Sequence, residues 1–233
     1  MIISLHMPKC GGTSFQELLQ NHFRLRFSKD DDYPLHWSPA QRRDEAKRWR
    51  RKIIRRHKYC YRYRFAKCIH GHFLPYKYDY FYGMDGNMFI TWLRDPIERL
   101  VSHYYFWLRT YETDNPKPLH RRVVEEKWTL QEFAFSEELR NVYTKFLWNF
   151  PVRRFDFIGV TEYYEQDFTY FARRYLGLED ISIPQKNRSP RDSKSPIKDE
   201  GLTEELKAFH ARDYELYHYA LGARKERVSA NNP

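Results

Sequence analysis

Residues 87–104 read NMFITWLRDPIERLVSHY, and this stretch decides the fold. The near-continuous apolar run over 87–93 is typical of a strand that is covered on both faces of a sheet. Asp95, Pro96 and Glu98 then suit the N-cap, the first and the third positions of a helix. Because apolar residues recur at helical spacing beyond them, the stretch predicts a strand followed directly by a helix.

The same alternation of strand and helix patterns extends along the whole chain. Further strands are predicted at 2–5, 65–69 and 155–160, and helices from about 13, over 39–57, 129–148 and 164–176, and from about 203. Such alternation favours a parallel sheet with helices packed on its faces. We therefore predict an α/β fold: a single P-loop-like domain over 1–228 with a central, mainly parallel sheet flanked by helices, and a disordered tail over 229–233.

Basic residues are concentrated in one segment of the chain. The 233 residues carry a formal net charge of +10, and residues 42–67 hold 13 Lys or Arg against Asp44 and Glu45. This segment therefore accounts for the whole excess, and much of it lies on a basic helical insertion over about 39–58. An acidic acceptor molecule, a nucleic acid or water alone could face such a helix.

Composition and hydropathy exclude several classes of protein. No run approaches the roughly 20 apolar residues of a membrane-spanning helix. Three cysteines, Cys10, Cys60 and Cys68, are unlike the disulfide framework of a secreted protein, and no signal-peptide pattern is present. We expect a cytoplasmic protein; a Golgi-lumenal location would require that a leader and a membrane anchor had been removed.

The loop after the first predicted strand has the composition of an anion-binding site. It reads HMPKCGGTS over 6–14. Its two glycines allow close approach of an anion to the backbone, the following helix offers unpaired N–H groups, and Lys9, Thr13 and Ser14 add a charge and two hydroxyls. In the NTPase P-loop the lysine follows the last glycine, whereas here it precedes both, which disfavours an NTPase. A plain Gly-Gly turn is the alternative interpretation.

The two strand-to-helix junctions together resemble the nucleotide-binding motifs of carbohydrate sulfotransferases, especially the heparan 2-O-sulfotransferase type and its bacterial relatives. The loop at 6–14 resembles the family's loop for the 5′-phosphosulfate of 3′-phosphoadenosine 5′-phosphosulfate (PAPS). The stretch LRDPIERLVSHYYF over 93–106 resembles its 3′-phosphate motif. Weaker matches at 141–147, 157–162 and 213–217 extend the resemblance over nearly the whole chain.

The resemblance implies a set of site residues and a cofactor. It places the 3′-phosphate on Arg94 and Ser102. It places the 5′-phosphosulfate on Lys9, Cys10, Gly11, Gly12, Thr13 and Ser14. It implies PAPS as the donor, 3′,5′-adenosine bisphosphate (PAP) as the product, and no metal. A salt bridge to a carboxylate is the alternative role for Arg94.

Cys10 departs from the family pattern, which usually has threonine at this place. A thiol beside Lys9 and a helix N-terminus can have a lowered pKa. We therefore predict a Cys10 that is sensitive to oxidants and protected by bound nucleotide. A small, neutral substitution is the alternative.

The segment His70-Gly71-His72 provides the candidates for a catalytic base, because imidazole is the usual base near neutral pH. The related 2-O-sulfotransferases have a His-Gly-His at this place, which implies His72 as the base and His70 as a supporting residue. Lys9 would then neutralise charge on the bridging oxygen. Cys68 with the two histidines could instead hold a metal, although no CxxC pair completes such a site; histidines with a purely structural role are a further alternative.

Acceptor-binding residues are predicted on both sides of this histidine segment. Arg48, Arg51 and Arg55 lie on the basic helix. Tyr76 and Tyr78 belong to an alternating tyrosine series (76, 78, 80, 82) that would line one face of a strand, where aromatic rings can stack on sugars or pack in the core. The sequence thus predicts a PAPS-dependent O-sulfotransferase with an acidic carbohydrate acceptor and no nucleic-acid partner. A nucleic-acid-binding module built on 42–67 and a P-loop kinase are the alternatives.

Overall fold

The computed structural model describes residues 1–31, 33, 37–56, 65–183, 197 and 199–230. Their centre is a five-stranded sheet with the order β2-β3-β1-β4-β5. The strands are β1 (Ile2–Leu5), β2 (Phe27–Lys29), β3 (Cys68–Gly71), β4 (Met88–Leu93) and β5 (Phe157–Val160). All four strand pairings are parallel, which confirms the predicted α/β fold with a central parallel sheet flanked by helices.

Nine α-helices surround this sheet within the described ranges. They are α1 (Gly12–Phe23), α2 (Pro39–Arg56), α3 (Pro96–Arg109), α4 (Pro118–Glu125), α5 (Leu130–Ala134), α6 (Val142–Phe146), α7 (Tyr164–Leu176), α8 (Glu200–Phe209) and α9 (Ala211–Ser229). A 3₁₀ helix over Pro75–Phe81 follows β3. None of the helices in this part of the chain has the length and apolar content to cross a membrane.

The central strands are buried on both faces, as their apolar sequences predict. Every residue of β1, β3 and β5 is buried, and aromatic side chains such as Phe15, Phe157 and Phe171 pack against one another over the sheet. Burial of this much apolar surface is the main stabilising term for such a fold. The sheet is therefore a rigid base for the loops at its edge.

Local sequence signals set the start of α3 as predicted. The carboxylate of Asp95 accepts hydrogen bonds from the backbone N–H groups of Ile97 and Glu98, at 2.9 and 3.0 Å. Pro96 occupies the first helical position, where it has no N–H to leave unpaired. The junction between β4 and α3 is thus fixed at the residue that follows Arg94.

The structure differs from the predicted helix over 129–148. Two short helices, α5 and α6, replace it, and Asn141 between them has a left-handed backbone with φ 51°. The backbone N–H of Asn141 donates to His210 Nδ1 at 3.3 Å, and its side-chain oxygen accepts from the N–H of Asp213. These contacts with residues about 70 positions away stabilise the break.

Three of the alternating tyrosines lie in the 3₁₀ helix and not in a strand, and Tyr82 directly follows this helix. Pro75 begins this helix. Tyr78 has no exposed surface, and its hydroxyl donates to Asp30. Because Tyr78 is part of the core, its predicted contact with an acceptor does not fit this structure; Tyr76 remains partly exposed.

The sheet brings three loops to one edge. Leu5 of β1 lies in register with Gly71 of β3 on one side and with Thr91 of β4 on the other. Since the strands are parallel, the loop at 6–11, His72 and Arg94 all follow the carboxyl ends of adjacent strands. Ligands in open α/β sheets bind outside this end of the strands.

Candidate active site

The loop between β1 and α1 leaves the helix N-terminus open. Gly11 occupies the N-cap position with φ 77°, and no side chain of the described residues caps α1. Lys9 also has a positive φ of 66°. The first N–H groups of α1 thus lack a capping side chain, which is the arrangement that binds anions at helix N-termini.

Close packing explains both glycines of this loop. A Cβ atom at Gly12 would lie 2.0 Å from Nε2 of His6, and one at Gly11 would lie 2.8 Å from the ring of Tyr164. The Tyr164 hydroxyl also donates to the carbonyl of Gly11 at 3.1 Å. Only glycine therefore lets the loop close onto these two rings.

One face of α3 lies between the two predicted phosphate-binding cations. The ammonium of Lys9 is 3.9 Å from the centre of the Phe106 ring, and Nη2 of Arg94 is 3.5 Å from Oε2 of Glu98. Glu98, Ser102 and Phe106 are spaced four residues apart and share one helix face. Ser102 thus lies on this helix face between the residues that contact Lys9 and Arg94.

The ammonium of Lys9 lies among other positive charges. Burial, followed by the nearby charges of Arg109 and Arg94, lowers the pKa of Lys9 to about 8. Within the described part of the chain, Lys9 has no carboxylate within ion-pair distance. A bound anion would relieve this mutual repulsion.

The side chain of Tyr143 contacts both the loop after β1 and the residue that precedes α3. Its hydroxyl donates to the carbonyl of Arg94 at 2.7 Å, accepts from the N–H of Arg94 at 3.2 Å, and lies 3.4 Å from Sγ of Cys10. The carboxylate of Asp213 accepts a hydrogen bond from the backbone N–H of Tyr143 at 3.0 Å. This residue was missed by the sequence prediction, although it lies within the weak family match at 141–147.

The structure contradicts the predicted reactive thiolate at Cys10. The side chain has no exposed surface, and burial raises the pKa of its thiol to about 11. Thiolates are the nucleophilic and oxidisable form of cysteine. Cys10 is therefore a small packed residue beside Tyr143, which agrees with the alternative of a neutral substitution.

Three imidazoles cluster where β1 and β3 end. The His6 ring stacks on that of His72 with centroids 4.4 Å apart, and it is 5.1 Å from that of His70. His70 is buried, its Nδ1 lies 2.8 Å from Oγ of Ser4, and burial lowers its pKa to about 3. His70 is thus neutral at physiological pH, which suits a supporting residue.

His72 is the accessible member of the cluster, with 34% of its side chain exposed. Its Nδ1 lies 3.0 Å from Oδ1 of Asp31, and its backbone N–H donates to the same oxygen at 3.2 Å. Among the described residues, no three His, Cys, Asp or Glu side chains are arranged to hold a metal ion. Asp31 and His6 were not identified from the sequence.

The buried histidines predict a loss of stability in mild acid. Burial lowers the pKa of His6, of His70 to about 3, and of His210 to about 4, against about 6.5 in the unfolded chain. Below pH 6.5 the unfolded chain therefore binds protons that the folded protein does not. The free energy of unfolding should fall by up to about 1.4 kcal/mol per pH unit for each histidine, as measured by urea denaturation between pH 7.5 and 5.

A His210→Gln variant provides the control for this pH dependence. His210 lies away from the loops and donates through Nε2 to the carbonyl of Ala134 at 2.9 Å. The variant should show a shallower loss of stability with acidification, because one fewer proton separates the two states. An unchanged slope would contradict the assignment of His210 as a neutral buried histidine.

The basic residues of α2 form two sets, one beside an aromatic ring and one on an open surface. Arg43 and Lys47 lie over the ring of Trp148, with 5.5 and 5.7 Å from charge to ring centre. Trp148 in turn contacts Tyr76, four residues after His72, with ring centroids 5.1 Å apart. The first half of α2 thus contacts, through Trp148, the segment that follows His72 in the chain.

The predicted acceptor residues Arg48, Arg51 and Arg55 lie on the outer face of α2. Together with Lys52 and Arg56 they line one open surface depression. Arg55 is twelve residues beyond Arg43, which corresponds to about 18 Å along the helix axis. The basic residues at 58, 62 and 64 lie outside the described residues, as does Cys60.

Comparison with known proteins places the chain in a family. The model described as "Sulfotransferase family" matches residues 1–220. Among solved structures, the chain is similar to the crystal structure of a sulfotransferase from Alicyclobacillus acidocaldarius, with 15% sequence identity, a TM-score of 0.46 and 94% of each chain covered. No curated protein matches. Because the family match covers nearly all of the 233 residues, the chain belongs to the sulfotransferase family.

Proposed function

We propose that the protein transfers a sulfuryl group from PAPS to a hydroxyl of an acidic carbohydrate. One observation carries the proposal: the anion loop, His72 and Arg94 follow three adjacent parallel strands and meet at one edge of the sheet. Membership of the sulfotransferase family argues for sulfuryl transfer and against the alternatives of a P-loop kinase and a nucleic-acid-binding module. The domain boundaries at 228 and 229 and the cytoplasmic location stay predictions.

The residues at this edge fit the two anionic ends of PAPS. The uncapped start of α1 and the ammonium of Lys9 suit the 5′-phosphosulfate, with Gly11, Gly12, Thr13 and Ser14 in the same loop. Arg94 and Ser102 suit the 3′-phosphate, for which a planar guanidinium is well shaped. The uncompensated charge around Lys9 supports an anionic ligand between them.

The proposed mechanism needs one proton acceptor and one positive charge. When bound, PAPS supplies the sulfuryl group: its sulfur–oxygen bond to the 5′-phosphate breaks, and the electron pair stays on the phosphate oxygen as the acceptor oxygen bonds to sulfur. Nε2 of His72 receives the proton of the acceptor hydroxyl. Lys9 stabilises the negative charge on the departing oxygen, because a fixed charge there costs no reorganisation.

His70 supports this reaction through its position and its neutral state. Its Nδ1 is paired with Ser4 on β1, so the ring is fixed in the sheet. A neutral imidazole at this place adds no positive charge that would oppose proton uptake by His72. The supporting role of His70 is therefore structural and electrostatic.

The two sets of basic residues on α2 favour a polymeric acceptor. Arg43 and Lys47 lie beside Trp148, which contacts the segment that follows His72, and we assign them to the sugars next to the reacting one. Arg48, Arg51 and Arg55 extend the positive surface away from it, toward sugars farther along the chain. A long acidic glycan would use both sets, whereas a short oligosaccharide would use only the first.

Neutralising the two sets should therefore affect acceptors of different length. The triple variant Arg48→Gln, Arg51→Gln and Arg55→Gln should raise KM about tenfold for a long acidic polysaccharide, since each exposed charge contributes about 0.5 kcal/mol. KM for an acidic tetrasaccharide should hardly change. Steady-state kinetics with both acceptors at fixed PAPS concentration measures the difference.

The double variant Arg43→Gln and Lys47→Gln is the matched comparison. It should raise KM for the short and the long acceptor alike, while the Kd for PAP stays unchanged in both variants. Loss of PAP affinity in the triple variant would contradict the assignment of α2 to the acceptor.

The function itself is tested by transfer of radioactive sulfate from PAPS to a series of glycans. The series contains matched acidic and neutral polysaccharides, a simple phenol and a tyrosine peptide. We expect incorporation into acidic glycans above all, without added metal. Transfer only to the phenol or the peptide would contradict the carbohydrate acceptor.

A further inference from the structure

A short turn after the edge strand β2 reaches the proposed base. The backbone N–H of Asp30 donates to the carbonyl of His70 at 2.9 Å, which extends the pairing of β2 with β3 by one residue. The next residue, Asp31, therefore lies beside His72, although 41 positions separate them in the chain. Strand β2 has only three residues, Phe27–Lys29, and the sequence did not predict it.

Gly71 makes this approach possible. Its φ is +153°, and a Cβ atom there would lie 2.0 Å from the carbonyl oxygen of Asp30 and 3.0 Å from Oδ1 of Asp31. A larger residue would therefore push the Asp30–Asp31 turn away from β3. The glycine between the two histidines is explained by the contact that it allows between Asp31 and His72.

The hydrogen bonds of Asp31 fix the protonation pattern of His72. Oδ1 accepts from the backbone N–H of His72 and lies 3.0 Å from Nδ1. The pKa of Asp31 is held well below its usual range, first by the hydrogen bond to the His72 side chain. An ionised carboxylate can only accept hydrogen bonds, so Nδ1 carries the proton, and in the neutral ring Nε2 then presents its lone pair.

We propose that Asp31 is the positioning residue of the reaction, which holds His72 in the Nδ1–H tautomer with Nε2 free to take the acceptor proton. Stacking by His6, at 4.4 Å and 25° between ring planes, fixes the plane of the same imidazole. The assignment of Nε2 as proton acceptor rests on the proposed function, whereas the tautomer does not. Asp31 contacts the ring and the backbone of His72, and in this proposal it acts through them.

Four charged or titratable groups surround the His72 imidazole within the described residues. Asp31 contacts it directly, Lys29 pairs with the second oxygen of Asp31 at 2.7 Å, and His6 and His70 lie on the inner side. Only Asp31 is negative. Its charge therefore stabilises the imidazolium that forms when His72 accepts the proton.

The test replaces Asp31 with asparagine, which keeps size and shape but removes the charge. The amide can donate to Nδ1, which moves the ring proton to Nε2, the atom that must accept. We expect kcat to fall about 100-fold or more, with KM for the acceptor and the Kd for PAP nearly unchanged.

The tautomer is measured separately by long-range ¹H–¹⁵N NMR of the histidine rings, with His72→Ala to identify the signal. The wild type should show His72 with the proton on Nδ1, and Asp31→Asn should shift it to Nε2. The variant Asp85→Asn is the matched control: Asp85 is exposed and precedes β4, at the opposite end of the strands from His72, so neither readout should change.

The results separate this inference from the proposed function. An Asp31→Asn protein with the wild-type tautomer and the wild-type kcat would overturn the role of Asp31. A wild-type protein with the Nδ1–H tautomer that transfers no sulfate to any acceptor would contradict the proposed function and leave the Asp31–His72 pair standing.

Discussion

Replacing His72 with alanine is expected to abolish most sulfuryl transfer, with kcat lower on the order of 10²–10⁴-fold and an unchanged Kd for PAP. The loss follows because Nε2 of His72 is the accessible imidazole nitrogen at the edge where the phosphate loop ends. The nucleotide contacts come from other residues, in the loop after β1 and at the start of α3. Single-turnover kinetics and calorimetry with PAP measure the two quantities independently.

The variant His22→Ala is the control for this prediction, because His22 is an exposed histidine near the end of α1. It should keep the wild-type kcat. A His72→Ala protein that retains turnover would remove His72 as the base, and one that loses PAP binding would place His72 among the nucleotide contacts.

Replacing Arg94 with alanine should weaken PAP binding about 100-fold, since a charge-assisted contact with phosphate contributes on the order of 3 kcal/mol. The affinity for 5′-AMP, which lacks the 3′-phosphate, should hardly change. The comparison of the two nucleotides isolates the 3′-phosphate, because they share the adenosine and the 5′-phosphate. Calorimetric titration of both nucleotides into both proteins gives the four constants.

The variant Arg94→Lys distinguishes the contribution of the positive charge to PAP binding from that of the guanidinium shape. Lysine keeps the positive charge but lacks the planar fork of the guanidinium, so we expect an intermediate affinity for PAP. If Arg94→Ala weakened both nucleotides equally, Arg94 would bind some other part of the ligand or would act only through its contact with Glu98.

The elements with strong local signals were predicted correctly from the sequence. Asp95, Pro96 and Glu98 determine the start of α3 through contacts within one turn of the helix. Gly177 ends α7 in a left-handed conformation with φ 67°, as its position after the apolar pattern indicates. Such features depend on neighbours in the chain, which periodicity and capping rules describe.

The elements that were missed depend on contacts between distant residues. Strand β2 is three residues long and forms because Phe27 pairs with Cys68, 41 positions away. The tyrosine series 76–82 has the alternation of a strand, but burial of Tyr78 on Asp30 favours the 3₁₀ helix. Local patterns cannot specify such pairings, which tertiary packing decides.

The residues of the candidate site divide in the same way into those with a local sequence signal and those that depend on contacts between distant residues. Lys9, Arg94 and His72 were identified because they lie in segments that resemble the family's motifs and follow predicted strands. Asp31 and Tyr143 were not, since Asp31 follows the unpredicted β2 and Tyr143 follows the left-handed Asn141. Each contacts a residue that the sequence did identify, Asp31 with His72 and Tyr143 with Arg94.

Calorimetric titration of the wild-type protein with PAP, beside ATP with magnesium, tests the central claim most directly. The claim is that the sheet edge formed by the ends of β1, β3 and β4 is a site for a 3′-phosphorylated adenine nucleotide. We predict that PAP binds with a stoichiometry of one per chain and raises the Tm, and that ATP with magnesium binds far more weakly. Equal binding of ATP, or no binding of PAP, would contradict the account.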